Sequence, residues 1–390
     1  MAALPSEDLI SQAGTALAQA GTQELAVITF LRSLGREPDA VRAALEQVEL
    51  RRKAANSWQA SGQERQNWFF TRDGLEAASH PLVARFHADV ISQSGLTGVI
   101  DLTAGLGSDS AAFINAELET TAVEHDSRTA QLLAHNLSGA HIVNRDCTEI
   151  DFAQWNPANT AIFVDPSRRG TSRTPDGARA LPERDPERWS PRMSFVNQLA
   201  RTFKVFIKAA PALNPPADWA QFVVSLDGNV VEMFATNAAT GTNAVLVNSD
   251  TAGVSIITQN DEPITNIHAL IDTGGFLYEL DPAITRARLT RQVASDCGLT
   301  PVGAKNIWLF GQEATFCAHA RVYKVHDLFS IKDLKAKVAH LPGIALKTKD
   351  GRRELKDLRA ASAKPDHNEW AVVILGSGAT EQAVLVQREP

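Results

Sequence analysis

Four carboxylic acids stand where the chain could do chemistry, each at or just after the end of a short apolar run: Asp101, Glu124, Asp146 and Asp165. Such apolar runs are typical of buried strands. When buried strands run parallel in one sheet, their carboxyl ends meet at one edge, and ligands bind there. Carboxylates accept hydrogen bonds from hydroxyl and amino groups. The sequence therefore predicts that the four acids share one edge and surround a polar ligand.

A glycine turn follows the first of these acids. Gly105 and Gly107 precede a helical pattern whose cap is predicted to be Ser108 or Asp109. Glycine lacks a Cβ, so a ligand can approach its backbone, and the first N–H groups of a helix are available donors. The turn is a ligand cradle or an ordinary strand-to-helix crossing. A dinucleotide-binding turn would have a third glycine where Ser110 stands.

Two of the acids have the spacing that a nucleoside would require. Glu124 lies 17 residues after Gly107, close to the interval of about 20 residues at which an acid meets a ribose diol in nucleotide-binding folds. Asp146, which precedes Cys147, can accept a hydrogen bond from an adenine amino group. The alternatives are a surface carboxylate at position 124 and a turn or capping residue at position 146.

Asp165 opens an arginine-rich segment that continues to Arg192. The segment contains arginines at positions 168, 169, 173, 179, 184, 188 and 192. A loop of this length at the end of a strand favours a functional element, with solvated surface as the alternative. Lys208 ends the next predicted strand, and basic side chains beside Asp165 suit an anionic substrate.

The elements that hold these residues alternate between strand and helix from residue 98 to residue 208, which predicts a right-handed, mostly parallel sheet. Apolar runs on both sides of Asp227-Gly228 predict a hairpin that gives the sheet an antiparallel edge. Residues 1–94 have a helical pattern. Their aromatic cluster, 68–70, is expected in the core, or else residues 71–74 beside it close over the ligand.

Beyond residues 272–275 the alternation ends. We predict one helix over 282–293, a strand over 315–325 and a small α+β module at the C-terminal end. Residues 321–359 contain eleven basic and five acidic residues, in a chain whose net charge is −7. The charge argues against a protein that coats nucleic acid by bulk attraction, but it allows a local basic surface. The predicted domains are 1–94, 95–260, 261–319 and 320–390.

The composition, with 44% apolar and 21% charged residues over 390 positions, is typical of a globular protein of two or three domains. We find no basic signal-peptide start and no apolar run of membrane-spanning length, so we expect a cytoplasmic protein without a membrane partner. Three cysteines are too few and too far apart for a disulfide framework or a zinc site. Free thiols and no metal are expected, and the oligomeric state is not predicted.

The run from residue 98 to residue 234 resembles the class I S-adenosylmethionine-dependent methyltransferases. Their glycine loop matches residues 101–107, their ribose-binding acid matches Glu124, and their adenine-binding acid matches Asp146. The whole chain resembles a bacterial family of methyltransferases with the run Phe70–Glu76, the motif Asp-Pro-x-Arg-Arg from Asp165 onward, and a THUMP-like C-terminal domain. The resemblance implies a Rossmann-like methyltransferase sheet and a C-terminal module of a kind associated with RNA-modifying enzymes.

The resemblance also implies roles for individual residues. The cofactor, S-adenosyl-L-methionine, would contact Asp101, Thr103, Ala104, Gly105, Gly107, Asp109, Glu124, His125, Asp146, Cys147 and Asp165. The catalytic residues would be Asp165, Pro166 and Arg168, and an anionic substrate would be held by Arg168, Arg169 and Lys208. Enzymes that methylate exocyclic amines have a second proline and an aromatic residue where this chain has Ser167 and Arg168. An arginine plane can stack on a base and can also contact phosphate.

The leading functional hypothesis is a methyltransferase that acts on a base nitrogen of tRNA or rRNA. For a neutral amine acceptor, Asp165 would accept an N–H bond and stabilise the positive charge that develops on nitrogen. The alternatives are methyl transfer to a small molecule or protein, and a non-catalytic, RNA-associated scaffold that retains the cofactor pocket.

Overall fold

The computed structural model describes residues 4–20, 24–58, 65–168, 183–209, 215–260, 271–303, 308–338, 341, 344–347, 370–375 and 382–389. Its helices are α1 (Glu7–Gln19), α2 (Glu24–Ser33), α3 (Pro38–Trp58), α4 (Arg72–Ala77), α5 (Pro81–Gln93), α6 (Ser108–Asn115), α7 (Ser127–Asn136), α8 (Met193–Leu199), α9 (Pro282–Arg286), α10 (Thr290–Cys297) and α11 (Leu334–Val338). Its strands are β1 (Gly98–Asp101), β2 (Glu119–Glu124), β3 (His141–Asn144), β4 (Thr160–Val164), β5 (Lys204–Ala209), β6 (Ala220–Leu226), β7 (Asn229–Thr236), β8 (Thr242–Asn248), β9 (Gly253–Thr258), β10 (Phe276–Leu280), β11 (Thr300–Val302), β12 (Trp308–Gly311), β13 (Ala320–Ser330), β14 (Ala345–Lys347), β15 (Trp370–Leu375) and β16 (Gln382–Arg388).

The N-terminal helices form an apolar layer that includes the aromatic cluster. Trp68, Phe69 and Phe70 are buried in one hydrophobic cluster with residues of α1, α3 and α7. The amide of Asn136 bonds both the N–H and the C=O of Phe69, at 2.8 and 3.1 Å. These bonds satisfy backbone groups that burial takes away from water. The core interpretation of the aromatic cluster is thus confirmed.

A nine-stranded sheet carries the predicted strand ends, in the order β3-β2-β1-β4-β5-β7-β6-β8-β9. β1 lies between β2 and β4 and pairs with both in parallel, and β3 and β5 extend the parallel part on either side. β7 pairs antiparallel with β5. The predicted turn between β6 and β7 is present, with both Asp227 and Gly228 at positive φ, as a type I′ turn requires. The predicted mixed, mostly parallel α/β sheet is confirmed, and β8 and β9 contain the further strands that the sequence predicts over 244–247 and 254–257.

A second, seven-stranded sheet has the order β11-β12-β10-β13-β16-β15-β14. Its pairs are antiparallel except β14 with β15. The single helix predicted over 282–293 is wrong: the chain leaves the helical conformation at Arg288, whose φ is +62°, so α9 and α10 are separate. The strand predicted over 315–325 begins only at Ala320. Strands on both sides of the predicted domain boundary at residue 320 belong to this sheet. The division of the chain into four domains stays a prediction.

The chain divides into two compact units. The first unit contains residues 1–220, 233–240 and 247–254, and the second contains residues 221–232, 241–246 and 255–390. Within the described ranges, no helix combines the length and the apolarity that crossing a bilayer requires.

Candidate functional site

The carboxyl ends of β1, β2 and β4 are tied together by the turn that joins β1 to α6. Thr103 donates its N–H to Asp101 Oδ1 at 3.2 Å, and its hydroxyl oxygen accepts the N–H of Asp165 at 2.7 Å. Gly105 donates its N–H to Glu124 Oε2 at 3.0 Å. Three of the four acids named from the sequence therefore lie around one turn, as the strand pattern predicted.

The two glycines of this turn have different surroundings. Gly107 has φ +93°, and a Cβ there would lie 2.8 Å from side-chain atoms of Leu133 and Leu137, so this glycine is required for packing against α7. Gly105 has φ +56°, and apart from its chain neighbours no atom of the described residues lies within 4 Å of the position its Cβ would take. A ligand can approach the backbone at a residue that has no Cβ and open space beside it, as the proposed ligand cradle requires.

The cap of α6 differs from the prediction. Gly107 occupies the cap position, and no side chain caps the helix. Ser108 and Asp109 are engaged elsewhere: the Ser108 hydroxyl donates to the carbonyl of Ser79 at 2.7 Å and accepts from Arg65 at 2.7 Å. The Asp109 carboxylate faces α5. The sequence pattern predicted that one of these side chains caps α6. In the folded chain both side chains bond residues of neighbouring segments instead.

Glu124 is a buried carboxylate whose orientation is fixed from two sides. Besides the Gly105 bond, its Oε1 accepts the N–H of Asp126 at 2.8 Å. The ring of His125 lies 3.1 Å from the same oxygen, and the His125 side chain is 75% exposed. Glu124 itself is only 7% exposed. The surface-carboxylate alternative for this residue is therefore wrong.

Asp146 matches the turn-and-cap alternative in its contacts. Its Oδ1 accepts both the N–H and the hydroxyl of Thr148, at 2.8 and 2.7 Å, and these bonds lower the pKa of the carboxyl group. The side chain is exposed at the end of β3, beside Asn144, whose amide donates to the Glu124 carbonyl at 2.8 Å. Cys147 is buried, and burial raises the pKa of its thiol to about 12. This thiol is protonated at neutral pH.

A chain of hydrogen bonds runs from the end of β4 into the core. Lys208 Nζ donates to Asp165 Oδ2 at 2.7 Å and to the Ser79 hydroxyl at 2.9 Å. Ser79 in turn donates to Asp109 Oδ2 at 2.6 Å, and His87 Nδ1 lies 2.8 Å from Asp109 Oδ1. Of these five residues, Ser79, Asp109 and His87 are buried, and Lys208 and Asp165 are partly buried. Sequence reasoning missed Ser79 and His87, because their partners lie 22 to 129 positions away in the chain and no local pattern predicts those contacts.

Burial and charge set the ionisation of the acids beside α6. Burial raises the pKa of Asp101 to about 7, and the neighbouring carboxylates Asp109 and Asp165 add to the rise. Burial acts in the same sense on Asp109, but the Lys208 ammonium and the His87 bond outweigh it and hold the pKa of Asp109 well below its ordinary value. At neutral pH Asp109 is therefore ionised, while Asp101 is divided between its neutral and charged forms.

The residues after Asp165 form a short, paired segment. Ser167 and Ser190 exchange two backbone bonds, at 2.8 and 3.0 Å, and the carbonyl of Arg168 accepts the N–H of Glu183 at 2.8 Å. Pro166 is buried and Arg168 is partly exposed. Arg169 lies outside the described residues.

The alternative role of residues 71–74 as a cover over the ligand receives no support from Arg72. Its guanidinium bonds Glu49 at 2.9 Å and Glu46 at 3.2 Å, both on α3. Thr71 caps α4 through a bond from the N–H of Gly74. Arg72 thus binds the helical layer, whereas Gly74 lies against Leu106 of the turn, whose side chain would be 2.6 Å from a Cβ at position 74.

Comparison with solved structures shows that the fold is shared over the whole chain. The crystal structure of a "putative methyltransferase" from Porphyromonas gingivalis W83 is similar at 19% identity and a TM-score of 0.71, covering 99% of each chain. An rRNA methylase from Streptococcus thermophilus is similar at 11% identity and a TM-score of 0.29, over 40% of this chain and 96% of its own. The N-terminal domain of EvdMO1, solved with SAH bound, is similar at 14% identity and a TM-score of 0.26, over 41% of this chain and 64% of its own. No family model and no curated protein matches the chain.

Proposed function

We propose that this protein is an S-adenosylmethionine-dependent methyltransferase. One observation carries the proposal: the sheet order β3-β2-β1-β4-β5-β7-β6 gathers Asp101, Glu124 and Asp165 around the turn that contains Gly105. The carboxyl edge of such a sheet is its ligand-binding edge. The full-length likeness to a structure named as a methyltransferase supports the same activity.

The residues at this edge of the sheet fit the cofactor. Glu124 is oriented to accept hydrogen bonds from the ribose hydroxyls, and Asp146, at the end of the neighbouring strand, would accept one from the adenine amino group. The open space at Gly105 allows a ligand to reach the backbone. His125 and Cys147 flank the two acids, and Thr103 and Ala104 belong to the turn. At neutral pH Asp109 is ionised and Asp101 is partly ionised, and the Lys208 ammonium offsets part of this charge. The two carboxylates therefore add a modest negative potential beside the turn, which suits a cation.

When bound, the cofactor supplies a methyl group already activated on a cationic sulfur. The protein then has to align the acceptor with that methyl group, a contribution of about 7–11 kcal/mol in well-oriented reactions. Asp165 stands at the edge of the pocket to accept a hydrogen bond from the acceptor. The 2.7 Å bond from Lys208 fixes the carboxylate of Asp165 in place.

We further propose RNA as the acceptor. Arg168 and Arg169 follow Asp165 and suit phosphate or a stacked base, and the basic residues of 321–359 suit an RNA backbone. Lys208, assigned to the substrate from the sequence, has Asp165 and Ser79 as its partners. Its proposed role is therefore to position Asp165 and to lower the net negative charge that an anionic substrate meets.

Isothermal titration with S-adenosylmethionine and S-adenosylhomocysteine tests the cofactor. Gly105→Arg fills the open space beside the turn, so it is expected to lower affinity at least tenfold. Gly95→Arg is the matched control, since Gly95 also has positive φ (+75°) and open space but precedes β1 at the other end of the strand. Equal affinity in the Gly105 and Gly95 variants would contradict the proposed pocket.

The acceptor is tested by incubating the protein with methyl-labelled cofactor and RNA from a strain that lacks the gene. Label in RNA, lost in Asp165→Ala while the variant still binds cofactor, is expected. Label in a metabolite or protein fraction and none in RNA would replace the RNA assignment. A protein that binds cofactor but transfers no label to any fraction would support the scaffold alternative.

A further inference from the structure

Two cysteines lie side by side in the second compact unit. Cys297 is the last residue of α10, and Cys317 lies in the connection that leads to β13. Their sulfur atoms are 2.7 Å apart. Non-bonded carbon atoms are best separated by about 3.5–4.0 Å, and sulfur is larger, whereas the sulfurs of a disulfide lie about 2.03–2.05 Å apart. The two thiols are thus closer than ordinary packing brings two side chains.

In the connection from β12 to β13, Cys317 is buried and the larger Phe316 is exposed, although burial of the larger apolar side chain is expected. Cys317 is 5% exposed, whereas its neighbour Phe316 is 88% exposed. Burying the larger aromatic side chain would remove more apolar surface from water. The N–H of Thr315 bonds the hydroxyl of Tyr278 at 2.7 Å, and Ala320 donates to the Cys317 carbonyl at 3.2 Å. These bonds fix the connection with the thiol, not the ring, turned inward.

The end of α10 is equally well defined. Gly298, at φ +65°, caps the helix, and the N–H of Leu299 bonds the carbonyl of Ala294 at 2.8 Å. This left-handed cap is the common way to end a helix at a fixed residue. Cys297 is therefore held at a defined place, with its sulfur 2.7 Å from that of Cys317.

We propose that Cys297 and Cys317 form an intramolecular disulfide, with a low-molecular-weight disulfide such as oxidised glutathione as the oxidant. The Cys297 thiolate attacks one sulfur of oxidised glutathione, forming a mixed disulfide and releasing one glutathione thiolate. Cys317 gives up its proton to solvent and attacks the Cys297 sulfur, releasing the second glutathione thiolate. Two protein thiols are oxidised, and one glutathione disulfide is reduced to two thiols.

The surroundings assign the order of attack and the pace of the reaction. Cys297 is half-buried and Cys317 is buried, so Cys297 is the thiol that a soluble oxidant reaches. Burial and the neighbouring Cys317 raise the pKa of Cys297 to about 12. Because the thiolate is the attacking species, exchange is slow at neutral pH and faster in alkaline buffer. The disulfide would close a covalent loop, from residue 297 to residue 317, that contains β11 and β12.

The test uses the full-length protein, reduced and then held with an excess of oxidised glutathione in mildly alkaline buffer. After alkylation of the remaining thiols in denaturant and without reductant, so that the buried Cys147 also reacts, we expect one alkyl group per chain, on Cys147, and a peptide pair joined through Cys297 and Cys317. The oxidised protein should also unfold at a higher temperature than the reduced protein, since the cross-link restricts the unfolded chain.

Single variants separate the cross-link from general oxidation. Cys297→Ser and Cys317→Ser should each lose the joined peptides and the gain in melting temperature, whereas Cys147→Ser, in the first unit, should keep both. Three alkylated cysteines after the oxidation, or a cross-link that involves Cys147, would overturn the proposal. Cofactor binding is not part of this experiment, so its outcome is independent of the proposed methyl transfer.

Discussion

Asp101 and Asp109 show how position decides the ionisation of two buried carboxylates on one strand–helix unit. Asp109 faces the Lys208 ammonium through the Ser79 hydroxyl and has His87 on its other oxygen. Asp101 accepts hydrogen bonds from the hydroxyl of Ser110 and from a backbone N–H, at 2.6 and 3.2 Å, and both donors are uncharged. A cation therefore stabilises one carboxylate, while burial dominates the ionisation of the other.

The raised pKa of Asp101 predicts a pH-dependent cost in stability. Between the ordinary value of 3.8 and about 7, the folded protein holds a proton that the unfolded chain has released, so stability falls as pH rises through this window and then levels off. Asp101→Asn cannot ionise. The variant should gain on the parent by up to about 4 kcal/mol between pH 4 and pH 7, at about 1.4 kcal/mol per pKa unit.

Urea unfolding at a series of pH values measures this difference. Asp89→Asn, at an exposed position of α5, is the control and should follow the parent at every pH. If the free energies of unfolding of Asp101→Asn and the parent stay parallel between pH 4 and pH 7, then Asp101 is ionised throughout and the assignment fails.

Lys208 is predicted to stabilise Asp109 as well as Asp165. Lys208→Met removes the ammonium that acts on the buried Asp109 carboxylate through Ser79. The loss should stay below about 3–5 kcal/mol, the cost of a broken buried charge pair, because His87 and Ser79 still bond Asp109. The double variant Lys208→Met, Asp109→Asn should recover part of this loss, because the carboxylate that Lys208 stabilises is then neutral. A double-mutant cycle by denaturant unfolding gives the coupling. Simple additivity of the two losses would show that the residues do not interact.

At this scale the sequence predicted what strand ends dictate and missed what packing creates. Asp101, Glu124 and Asp165 were found because a parallel sheet aligns its carboxyl ends. Ser79 and His87 gain their roles only when α5 packs beside α6, and no local pattern anticipates that pairing. The same holds for Arg65, whose guanidinium lies 4.9 Å from the Trp68 ring centre and bonds Ser108, 43 positions along the chain.

At the scale of elements, the strand–turn–helix formed by β1, the turn and α6 uses its two glycines for two purposes. Gly107 lets α6 approach α7, and Gly105 leaves space at the carboxyl edge of the sheet. The spacing Gly-x-Gly predicted the turn but could not assign these purposes, since both glycines have positive φ.

Because the two glycines have different surroundings, alanine is predicted to have different effects at the two positions. Gly107→Ala meets two leucine side chains at 2.8 Å and a strained φ, so it should cost roughly 2–4 kcal/mol of stability from strain and overpacking. Gly105→Ala has only the conformational penalty of roughly 1–2 kcal/mol, but it narrows the proposed cofactor cradle. Thermal unfolding and cofactor titration of both variants check this. A Gly105 variant less stable than the Gly107 variant would contradict it.

At the scale of the whole molecule, the proposed RNA surface has an identifiable set of side chains. Lys337 and Lys347 are bonded to Asp327 and Glu279, at 2.8 and 2.6 Å. Lys324, Lys332 and Lys335 are exposed in the same unit. The carboxylates of Asp327 and Glu279 partly neutralise Lys337 and Lys347. The three exposed lysines are therefore the better candidates for phosphate contacts.

Changing Lys324, Lys332 and Lys335 together to Glu is expected to weaken RNA binding at least tenfold. The salt dependence should also flatten, by about 0.7–0.9 in slope for each phosphate that the variant no longer neutralises. Cofactor affinity should not change. The control replaces Arg32, Arg52 and Lys53, exposed basic residues of the first unit, with Glu. Filter binding at several salt concentrations provides the measurement, and equal effects of the two triple variants would remove the assignment.

Between Ala220 and Ser255 the polypeptide passes from one compact unit to the other five times. A protein truncated after residue 254 would contain the whole first unit. It would also contain two segments of the second unit, 221–232 and 241–246, without the rest of that unit. A fragment that starts at residue 255 would lack those same pieces. No single cut yields both units whole, so deletion analysis cannot assign separate activities to the two halves of this gene product, and point substitutions have to do so.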